Sequence, residues 1–205
     1  PLTLNTTFKP VSPYGTSKLF SYWITKNYRD AYGIFASNGI LFNHESPRRG
    51  ETFVTRKVIS FVAKYKIGVR DVLYIGNLDA KRDWGHAKEY VEGMWKILQI
   101  KKSGDFILAS GKSYSVRYLI SSSFNLIGMK ILWKGKGINE KGYCSKTNNL
   151  LVSVDKRYFR PNEINNLVGE TKTAKKQLNW EVKIKYIDLI KEMLDEEIQK
   201  LSKKN

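Results

Sequence analysis

The sequence predicts an α/β fold built on an open, largely parallel sheet. Helical patterns alternate with short apolar runs along the chain, and such alternation is typical of α/β proteins. The run at residues 34–43 is apolar through most of its length, as expected for a strand covered on both faces. No glycine-rich GxxGxxG turn follows a predicted strand, so we do not find the half of a dinucleotide-binding fold that carries the phosphate loop.

The composition is that of a folded protein with a substantial core. The chain has 205 residues, of which 41% are hydrophobic and 13% aromatic, and this length suits one domain or one domain with an added lobe. The single cysteine, Cys144, excludes an internal disulfide, and His44 and His86 are too few to suggest a metal site. We therefore expect no bound metal. We also expect a reduced, cytoplasmic location, since no signal peptide and no apolar run of ~20 residues is found.

The net charge of +17 admits two interpretations. Strongly basic proteins often bind nucleic acid, but the lysines here are scattered along the whole chain, and no basic cluster is denser than a Lys-Lys pair. A solvated, lysine-rich surface is the simpler interpretation, and we expect neither a nucleic-acid nor a membrane partner. A basic patch that attracts an anionic nucleotide is compatible with both interpretations.

The first predicted element is a long helix over residues 14–32, which Pro13 precedes and Gly33 ends. Tyr14 and Lys18 are four residues apart, so they share one face of this helix. A free phenol has a pKa of ~10 and is a poor base at neutral pH, but a nearby cation favours the phenolate. Tyr14 is therefore a candidate proton acceptor, although this spacing of a tyrosine and a lysine also occurs by chance in many helices.

The loop at residues 44–51 follows the predicted strand 34–43 and contains two arginines. Ligands of open α/β sheets bind outside the carboxyl ends of the strands, so this loop lies where a ligand is expected. Residues 52–66 then show helical periodicity, ended by Gly68. Its apolar side consists of Val54, Val58, Ile59, Phe61, Val62 and Tyr65.

The remaining elements alternate between short apolar strands and helices. Ser115 is a candidate cap for one of the helices, and the segment 134–149 is rich in Gly, Asn and Lys and is predicted to be irregular. The predicted strands are 72–77, 106–109, 130–133 and 150–154. Four helices are predicted: one that ends at about residue 99, one that ends at residue 128, and two that cover residues 171–178 and 187–200. The last helix is predicted to bury the face with Ile187, Ile190, Leu194 and Ile198.

Several motifs together resemble the GDP-mannose 4,6-dehydratase family of the extended short-chain dehydrogenases/reductases. They are SPYxxxK at 12–18, NHESPRRGETFVTRK at 43–57, RDWGHAKEYV at 82–91 and DKRYFRP at 155–161. The resemblance covers residues 1 to about 195 and corresponds to the later part of the family's chain. It implies the C-terminal part of a Rossmann-like doubly wound sheet with a small α/β substrate-binding lobe. We expect such a fragment neither to bind cofactor nor to turn over by itself.

The resemblance also implies a lyase reaction. A hydro-lyase of this family converts GDP-mannose to GDP-4-keto-6-deoxymannose, towards GDP-fucose, with NADP as a recycled hydride carrier. Tyr14 matches the catalytic base, and Lys18 matches its partner and a cofactor contact. His44 and Arg49 match cofactor-binding positions, and the loop with Arg48 and Arg49 implies a homotetramer. The alternative for this arginine pair is a solvated surface, and for His44 a hydrogen-bonded loop residue.

Six positions match the family's substrate contacts: Asn43, Val54, Lys57, Arg82, Arg160 and Glu163. The cationic ones have the charge that a pyrophosphate needs, and Glu163 could accept from sugar hydroxyls. A salt bridge with Asp83 or Glu89 is the structural alternative for Arg82. Arg160 precedes a proline and could have a purely structural role. We expect His86 to be structural.

The family resemblance divides the chain into two parts with an interleaved boundary. Residues 1–110 are predicted to belong to the NADP-binding domain, with 41–75 contributing to the substrate side, and residues 111–205 mainly to the substrate-binding lobe. Two other functions are open. One is another nucleotide-sugar epimerase or dehydratase, which shares Tyr14 and Lys18; the other is a non-catalytic basic module that binds nucleotide or RNA through its charge.

Overall fold

The computed structural model describes residues 1–159, 164 and 166–203. Within that part of the chain there are six α-helices, nine strands and two short 3-10 helices, the latter at Gly137–Asn139 and Lys156–Tyr158. The helices are α1 (Pro13–Tyr32), α2 (Val54–Lys66), α3 (Ala87–Ile97), α4 (Val116–Leu126), α5 (Lys172–Leu178) and α6 (Tyr186–Ser202). The strands are β1 (Asn38–Leu41), β2 (Asn43–Glu45), β3 (Leu73–Ile75), β4 (Lys81–His86), β5 (Asp105–Leu108), β6 (Ser113–Ser115), β7 (Ile131–Lys134), β8 (Lys141–Cys144) and β9 (Leu150–Val154).

The strands form three sheets, with orders β1-β5, β2-β4-β6 and β3-β9-β8-β7. β1 and β5 are parallel, with Gly39 opposite Phe106, and β3 and β9 are also parallel, with Tyr74 opposite Ser153. β7, β8 and β9 pair in antiparallel fashion. The predicted α/β class with parallel strand pairs is therefore confirmed. None of the helices described is long and apolar enough to cross a membrane.

Two compact units are each assembled from three separate stretches of chain. Unit 1 contains residues 1–44, 83–113 and 167–183, and unit 2 contains residues 45–82, 114–166 and 184–205. These bounds differ from a division at residue 110, because the chain passes between the units within each of the short strands β2, β4 and β6. The assignment of cofactor and substrate roles to the two parts of the chain stays a prediction.

The core of unit 1 is centred on two aromatic rings, Tyr90 and Trp180, which meet edge to face at a centroid distance of 5.5 Å. Trp180 Nε1 donates to the carbonyl of Glu89 at 2.7 Å, so the indole is both buried and hydrogen-bonded. Helix α3 can approach this cluster closely because Gly93 has no side chain. A Cβ there would lie 2.7 Å from Leu108 Cδ1 and 3.0 Å from Trp180 Nε1.

A buried carboxylate joins two of the three stretches of unit 1, residues 83–113 and 167–183. The Asp83 side chain on β4 is 0% exposed and accepts four hydrogen bonds. The donors are Ser110 N at 2.8 Å, Ser110 Oγ at 2.6 Å, Gly111 N at 3.0 Å and Gly169 N at 3.2 Å. Because an ionised carboxylate offers about four lone-pair sites, this arrangement satisfies the whole group. It ties the end of β5 and the segment before α5 to β4.

Unit 2 is built on α2 and α6, whose apolar faces pack against each other. The predicted face of α2 is confirmed at Val58, Ile59 and Val62, which are fully buried. A buried ion pair between Arg56 and Glu197 joins the two helices, and Arg56 also donates to the carbonyl of Pro47 at 3.1 Å. The loop before α2 is therefore attached to α6 through one guanidinium.

The structure differs from the predicted elements in three segments. Residues 34–43 are not one strand: strand structure starts only at Asn38, and after Leu41 the chain leaves β5 and joins another sheet as β2. Residues 82–86 form most of β4, although no strand was predicted there. The segment 134–149 contains β8, in which Gly142 lets the Trp133 ring lie across the strand, since a Cβ would lie 3.0 Å from that ring.

The face of α6 is also shifted from the prediction. The helix buries Tyr186, Leu189, Ile190, Met193, Leu194 and Glu197. Ile190 and Leu194 are confirmed, whereas Ile187 and Ile198 are only half-buried at the edge of that face. α1, α4 with its Ser115 cap, and α5 lie within one or two residues of the predicted helices.

We expect Asp83→Asn to lower the free energy of unfolding by about 3 kcal/mol. The amide group keeps one acceptor oxygen but turns an NH₂ towards backbone N–H donors, which leaves buried donors unpaired. Chemical denaturation followed by circular dichroism measures the loss. Asp195→Asn, at an exposed position of α6, is the matched control and should change stability by no more than about 0.5 kcal/mol. An equal effect of both substitutions would show that Asp83 is not a centre of stability.

Candidate functional site

Helix α1 presents Tyr14 and Lys18 on one face, as the spacing predicts. The helix begins with Ser12 as its cap, whose Oγ accepts from Gly15 N at 3.0 Å, and ends at Gly33, whose φ of 63° suits glycine. Lys18 Nζ lies 5.5 Å from the centroid of the Tyr14 ring. Both side chains are exposed, so a phenol and an ammonium stand together at the start of a well-capped helix.

Helix α1 buries none of its residues within this chain and is fixed by one carboxylate of β5. Asp105 accepts from Tyr22 Oη at 3.0 Å, from Arg29 Nη1 at 2.9 Å and from Asn38 Nδ2 at 2.9 Å. Burial tends to raise the pKa of Asp105, but the hydrogen bonds from Arg29, Asn38 and Tyr22 outweigh it and hold that pKa below its ordinary value. The orientation of the Tyr14–Lys18 face therefore depends on a polar anchor, which the sequence did not reveal.

His44 lies on β2, just beyond the carboxyl end of the parallel strand β1. Its Nδ1 is 2.8 Å from the carbonyl oxygen of Phe42, and its ring stacks on Tyr90 with a centroid distance of 4.9 Å. The alternative predicted for His44 was a hydrogen-bonded loop residue. The hydrogen bond is observed, but the residue lies on strand β2 and not in a loop. This arrangement is compatible with a cofactor contact through the other ring nitrogen. Asn43, beside it on β2, is half-buried.

The two arginines of the loop after β2 differ in their surroundings. Arg48 is exposed, whereas Arg49 Nε lies 3.0 Å from Glu45 Oε2 and its guanidinium lies 3.4 Å from the centroid of the Phe53 ring. Glu45 is 2% exposed and also accepts from Thr55 Oγ1 at 2.7 Å. Burial raises the pKa of Glu45 despite this hydrogen bond and the charge of Arg49. A solvated surface pair therefore describes Arg48 but not Arg49.

Lys57 lies on the wall of an 880 Å³ cavity in unit 2. Its Nζ donates to the carbonyl of Tyr74 at 2.7 Å and lies 3.7 Å from the centroid of the Tyr158 ring. The cavity wall also includes Lys64, Lys200 and Lys203, together with Arg56, Glu51, Asp71 and Glu197. Tyr74 and Tyr158 were not among the predicted site residues, and their separation from Lys57 in the sequence explains why no local pattern indicated them.

Four further predicted substrate positions have different outcomes. Val54 begins α2 and is half-buried. Arg82 Nη1 donates to the carbonyls of Lys81 at 2.9 Å and Ile164 at 2.6 Å. Asp83, the predicted partner of Arg82 in the structural alternative, accepts instead from the backbone and Ser110. Arg160 and Glu163 lie outside the described residues.

Two other residues have structural positions. His86 is 4% exposed and caps α3 by accepting from Lys88 N at 3.2 Å, which agrees with its predicted structural role. Cys144 is a buried free thiol on β8. Among residues 1–159, 164 and 166–203, no group of three His, Cys, Asp or Glu side chains could hold a metal ion.

The sequence is similar to a defined family over most of its length. The family profile described as GDP-mannose 4,6 dehydratase matches residues 1–193. Proteins called GDP-mannose 4,6 dehydratase from Dictyostelium discoideum and Homo sapiens are 49% and 50% identical over 97% and 95% of this chain. One from Sinorhizobium fredii is 50% identical over 98% of it. The chain covers 56%, 52% and 57% of these relatives, about half of their length.

Solved structures with much lower identity have the same fold. The structure of RMD from Pseudomonas aeruginosa in complex with NADPH matches with a TM-score of 0.79 at 17% identity, covering 97% of this chain and 60% of that one. The dTDP-glucose 4,6-dehydratase from Bacillus anthracis in complex with NAD matches with a TM-score of 0.76 at 16% identity, covering 98% and 57%. These similarities confirm the Rossmann-like fold class predicted from the sequence.

We expect the stability difference between the wild type and Asp105→Asn to depend on pH. The folded-state pKa of Asp105 is lowered, so its stabilising contribution is present above the unfolded pKa of ~3.9 and is lost as pH falls through the folded value. At pH 7 the substitution should cost about 2 kcal/mol, and the difference should shrink as pH falls through the folded-state pKa of Asp105. Urea denaturation across this range measures the difference. A constant difference at every pH would contradict an ionised Asp105 as the anchor of α1.

Proposed function

This chain belongs to the GDP-mannose 4,6 dehydratase family, and from that premise we propose that it forms part of an enzyme that converts GDP-mannose to GDP-4-keto-6-deoxymannose. The observation that carries the proposal is the identity of about half of the aligned residues with proteins of that name, over nearly the whole chain. Because the chain spans about half the length of those relatives, the activity, the substrate and the cofactor are proposed for the completed protein.

The side chains that are present suit NADP as the cofactor. Lys18 offers an exposed ammonium beside Tyr14, His44 retains a second ring nitrogen beyond its carbonyl contact, and Arg49 has the planar guanidinium that matches a phosphate. When bound, NADP supplies an acceptor for the hydride that leaves C4 of the hexose and is later returned to C6. We assign Tyr14, Lys18, His44 and Arg49 to this part of the site.

Tyr14 is the proposed base. Its phenolate accepts the proton of the C4 hydroxyl as the C4–H bond breaks, and the Lys18 ammonium lies on the same helical face, 5.5 Å from the centroid of the Tyr14 ring. The 4-keto group formed in this way acidifies the C5 hydrogen, so that a base can remove it while the C6 hydroxyl leaves as water. The reaction is redox-neutral overall, because the hydride removed from C4 is the one returned to C6.

The GDP-sugar substrate is assigned to Asn43, Val54, Lys57, Arg82, Arg160 and Glu163. The support from structure is strongest at Lys57, whose ammonium lies at the wall of the 880 Å³ cavity, where five cationic side chains outnumber three carboxylates. Such a site attracts a diphosphate, and the neighbouring Tyr158 offers a ring that a nucleobase could contact. A homotetramer formed through the Arg48–Arg49 loop and a cytosolic location complete the proposal.

We expect Lys57→Met to weaken the binding of GDP to the 205-residue chain about tenfold. The substitution keeps most of the length of the side chain and removes the charge that would contact the diphosphate, a loss of about 1.4 kcal/mol. Isothermal titration calorimetry at fixed ionic strength measures the affinity. Lys88→Met, at an exposed position of α3 away from the cavity, is the control. Equal losses in both variants would favour the non-catalytic basic module, which binds through its overall charge.

The activity is tested by joining this chain to the part of a relative that it does not cover. With GDP-mannose and NADP⁺, the completed enzyme should form a 4-keto-6-deoxy product, and Tyr14→Phe should lower kcat by a factor of roughly 10² to 10⁴. Tyr28→Phe, at an exposed tyrosine of the same helix, should leave kcat unchanged. A product epimerised at C4 would instead identify another nucleotide-sugar enzyme, and a folded but inactive protein would contradict the proposal.

A further inference from the structure

The imidazole of His44 is held by two contacts within unit 1. The atom facing Nδ1 is a carbonyl oxygen, that of Phe42, at 2.8 Å. A carbonyl can only accept a hydrogen bond, so Nδ1 carries the proton and donates it. In the neutral ring, Nε2 is then an acceptor with its lone pair in the ring plane.

The second contact fixes the plane of that ring. Tyr90 stacks on His44 with a centroid distance of 4.9 Å and an angle of 24° between the planes. The hydrogen bond through Nδ1 and the Cβ–Cγ bond restrict the ring, but they still let the imidazole plane tilt through changes in χ1 and χ2. The stacked face removes this freedom, so that the hydrogen bond and the stacking together determine where Nε2 points.

Tyr90 is itself held rigidly. Its side chain is 0% exposed and meets Trp180 edge to face at 5.5 Å. On another side it packs against the backbone of β4, where a Cβ on Gly85 would lie 2.5 Å from Cε2 of the ring. A side chain at position 85 would therefore displace the Tyr90 ring, and only glycine leaves room for it.

The hydroxyl of Tyr90 has no hydrogen-bond partner within the part of the chain that the structure describes. What this residue contributes to its surroundings is thus the aromatic ring rather than the hydroxyl. The stacking role of Tyr90 can therefore be tested separately from any hydrogen bonding. The matched substitution is Tyr90→Phe, which keeps the aromatic ring and removes the hydroxyl.

We propose that Tyr90 is a positioning residue for the cofactor site, and that Gly85 makes its position possible. The Tyr90 ring fixes the His44 imidazole so that Nε2 is presented as an acceptor to an O–H or N–H donor of the bound dinucleotide. This inference rests on the proposed function, since His44 is assigned to the cofactor there. It adds Tyr90 and Gly85 to the residues that determine the affinity of the protein for the cofactor. Neither of them touches the cofactor in this proposal.

The first test measures His44 directly in the 205-residue chain. The chain has two histidines, so ¹⁵N-histidine labelling gives two sets of ring signals, and His44→Gln assigns them. We expect His44 to be in the Nδ1–H tautomer at pH 8, with its ring protons shifted upfield by the Tyr90 ring. Tyr90→Phe should preserve both features. Tyr90→Leu and Gly85→Ala should each reduce the upfield shift and produce a mixture of tautomers.

This measurement can overturn the proposal even if a variant fails to fold. A wild-type His44 that shows the Nε2–H tautomer, or ring protons without an upfield shift, contradicts the arrangement without the need for any substitution. Circular dichroism identifies a variant that does not fold. If Tyr90→Leu is such a variant, Gly85→Ala tests the same contact, because the added Cβ displaces the Tyr90 ring while the ring itself is retained.

The second test measures the affinity for NADP⁺ of the protein completed with the remaining part of a relative. Loss of one hydrogen bond predicts a Kd raised about tenfold in His44→Gln, Tyr90→Leu and Gly85→Ala, with Tyr90→Phe unchanged. The double variant His44→Gln/Tyr90→Leu should show no further loss, because both substitutions remove the same contact. An unchanged Kd in His44→Gln would refute the proposed cofactor role of His44. A loss in His44→Gln without one in Tyr90→Leu would refute only the positioning role of Tyr90.

Discussion

The carboxylate of Asp83 is the interaction that holds residues 83–113 and 167–183 of unit 1 together. Three segments meet at this side chain: β4, the turn after β5 at Ser110 and Gly111, and the segment before α5 at Gly169. The last two contribute backbone N–H groups, of which that of Gly169 is buried. Closing such long loops costs conformational entropy, and the apolar cluster around Trp180 can offset that cost only once the segments are in register. The carboxylate fixes the register, since its four donors define one arrangement of the three segments.

The elements that local chemistry determines were predictable. Helix α1 was found from Pro13 and Gly33 at its two ends, although it has no buried face in this chain, and α2 was found from its apolar periodicity. The errors arose where tertiary contacts decide. Ile34 and Phe35 are apolar but exposed, so they lengthened the predicted strand wrongly, and the glycines and lysines around β8 concealed a strand that pairs on both of its edges.

The same distinction applies to the candidate site. The Tyr14–Lys18 pair and the Arg49 loop could be named from motifs, because their residues are close in sequence. The side chains around them could not be predicted in this way. Asp105, which fixes α1, lies 76 residues beyond Arg29 in the sequence, and Tyr158, which contacts Lys57, is also distant from it in the sequence. Nor does the sequence show that Arg49 pairs with a buried glutamate. A residue type and a spacing identify a functional group, whereas its orientation is decided by side chains that no local pattern includes.

The polar attachment of α1 has a consequence for how the chain opens. A helix of 20 residues that buries none of its side chains gains little from the apolar core, and its hold on the sheet is concentrated in the contacts of Asp105. Such a segment can separate from the remainder of unit 1 as a local unfolding unit while the cluster around Trp180 stays intact. Amide hydrogens of α1 would then exchange with solvent well before those of β5, and a protease would first cut the chain within the helix that carries Tyr14.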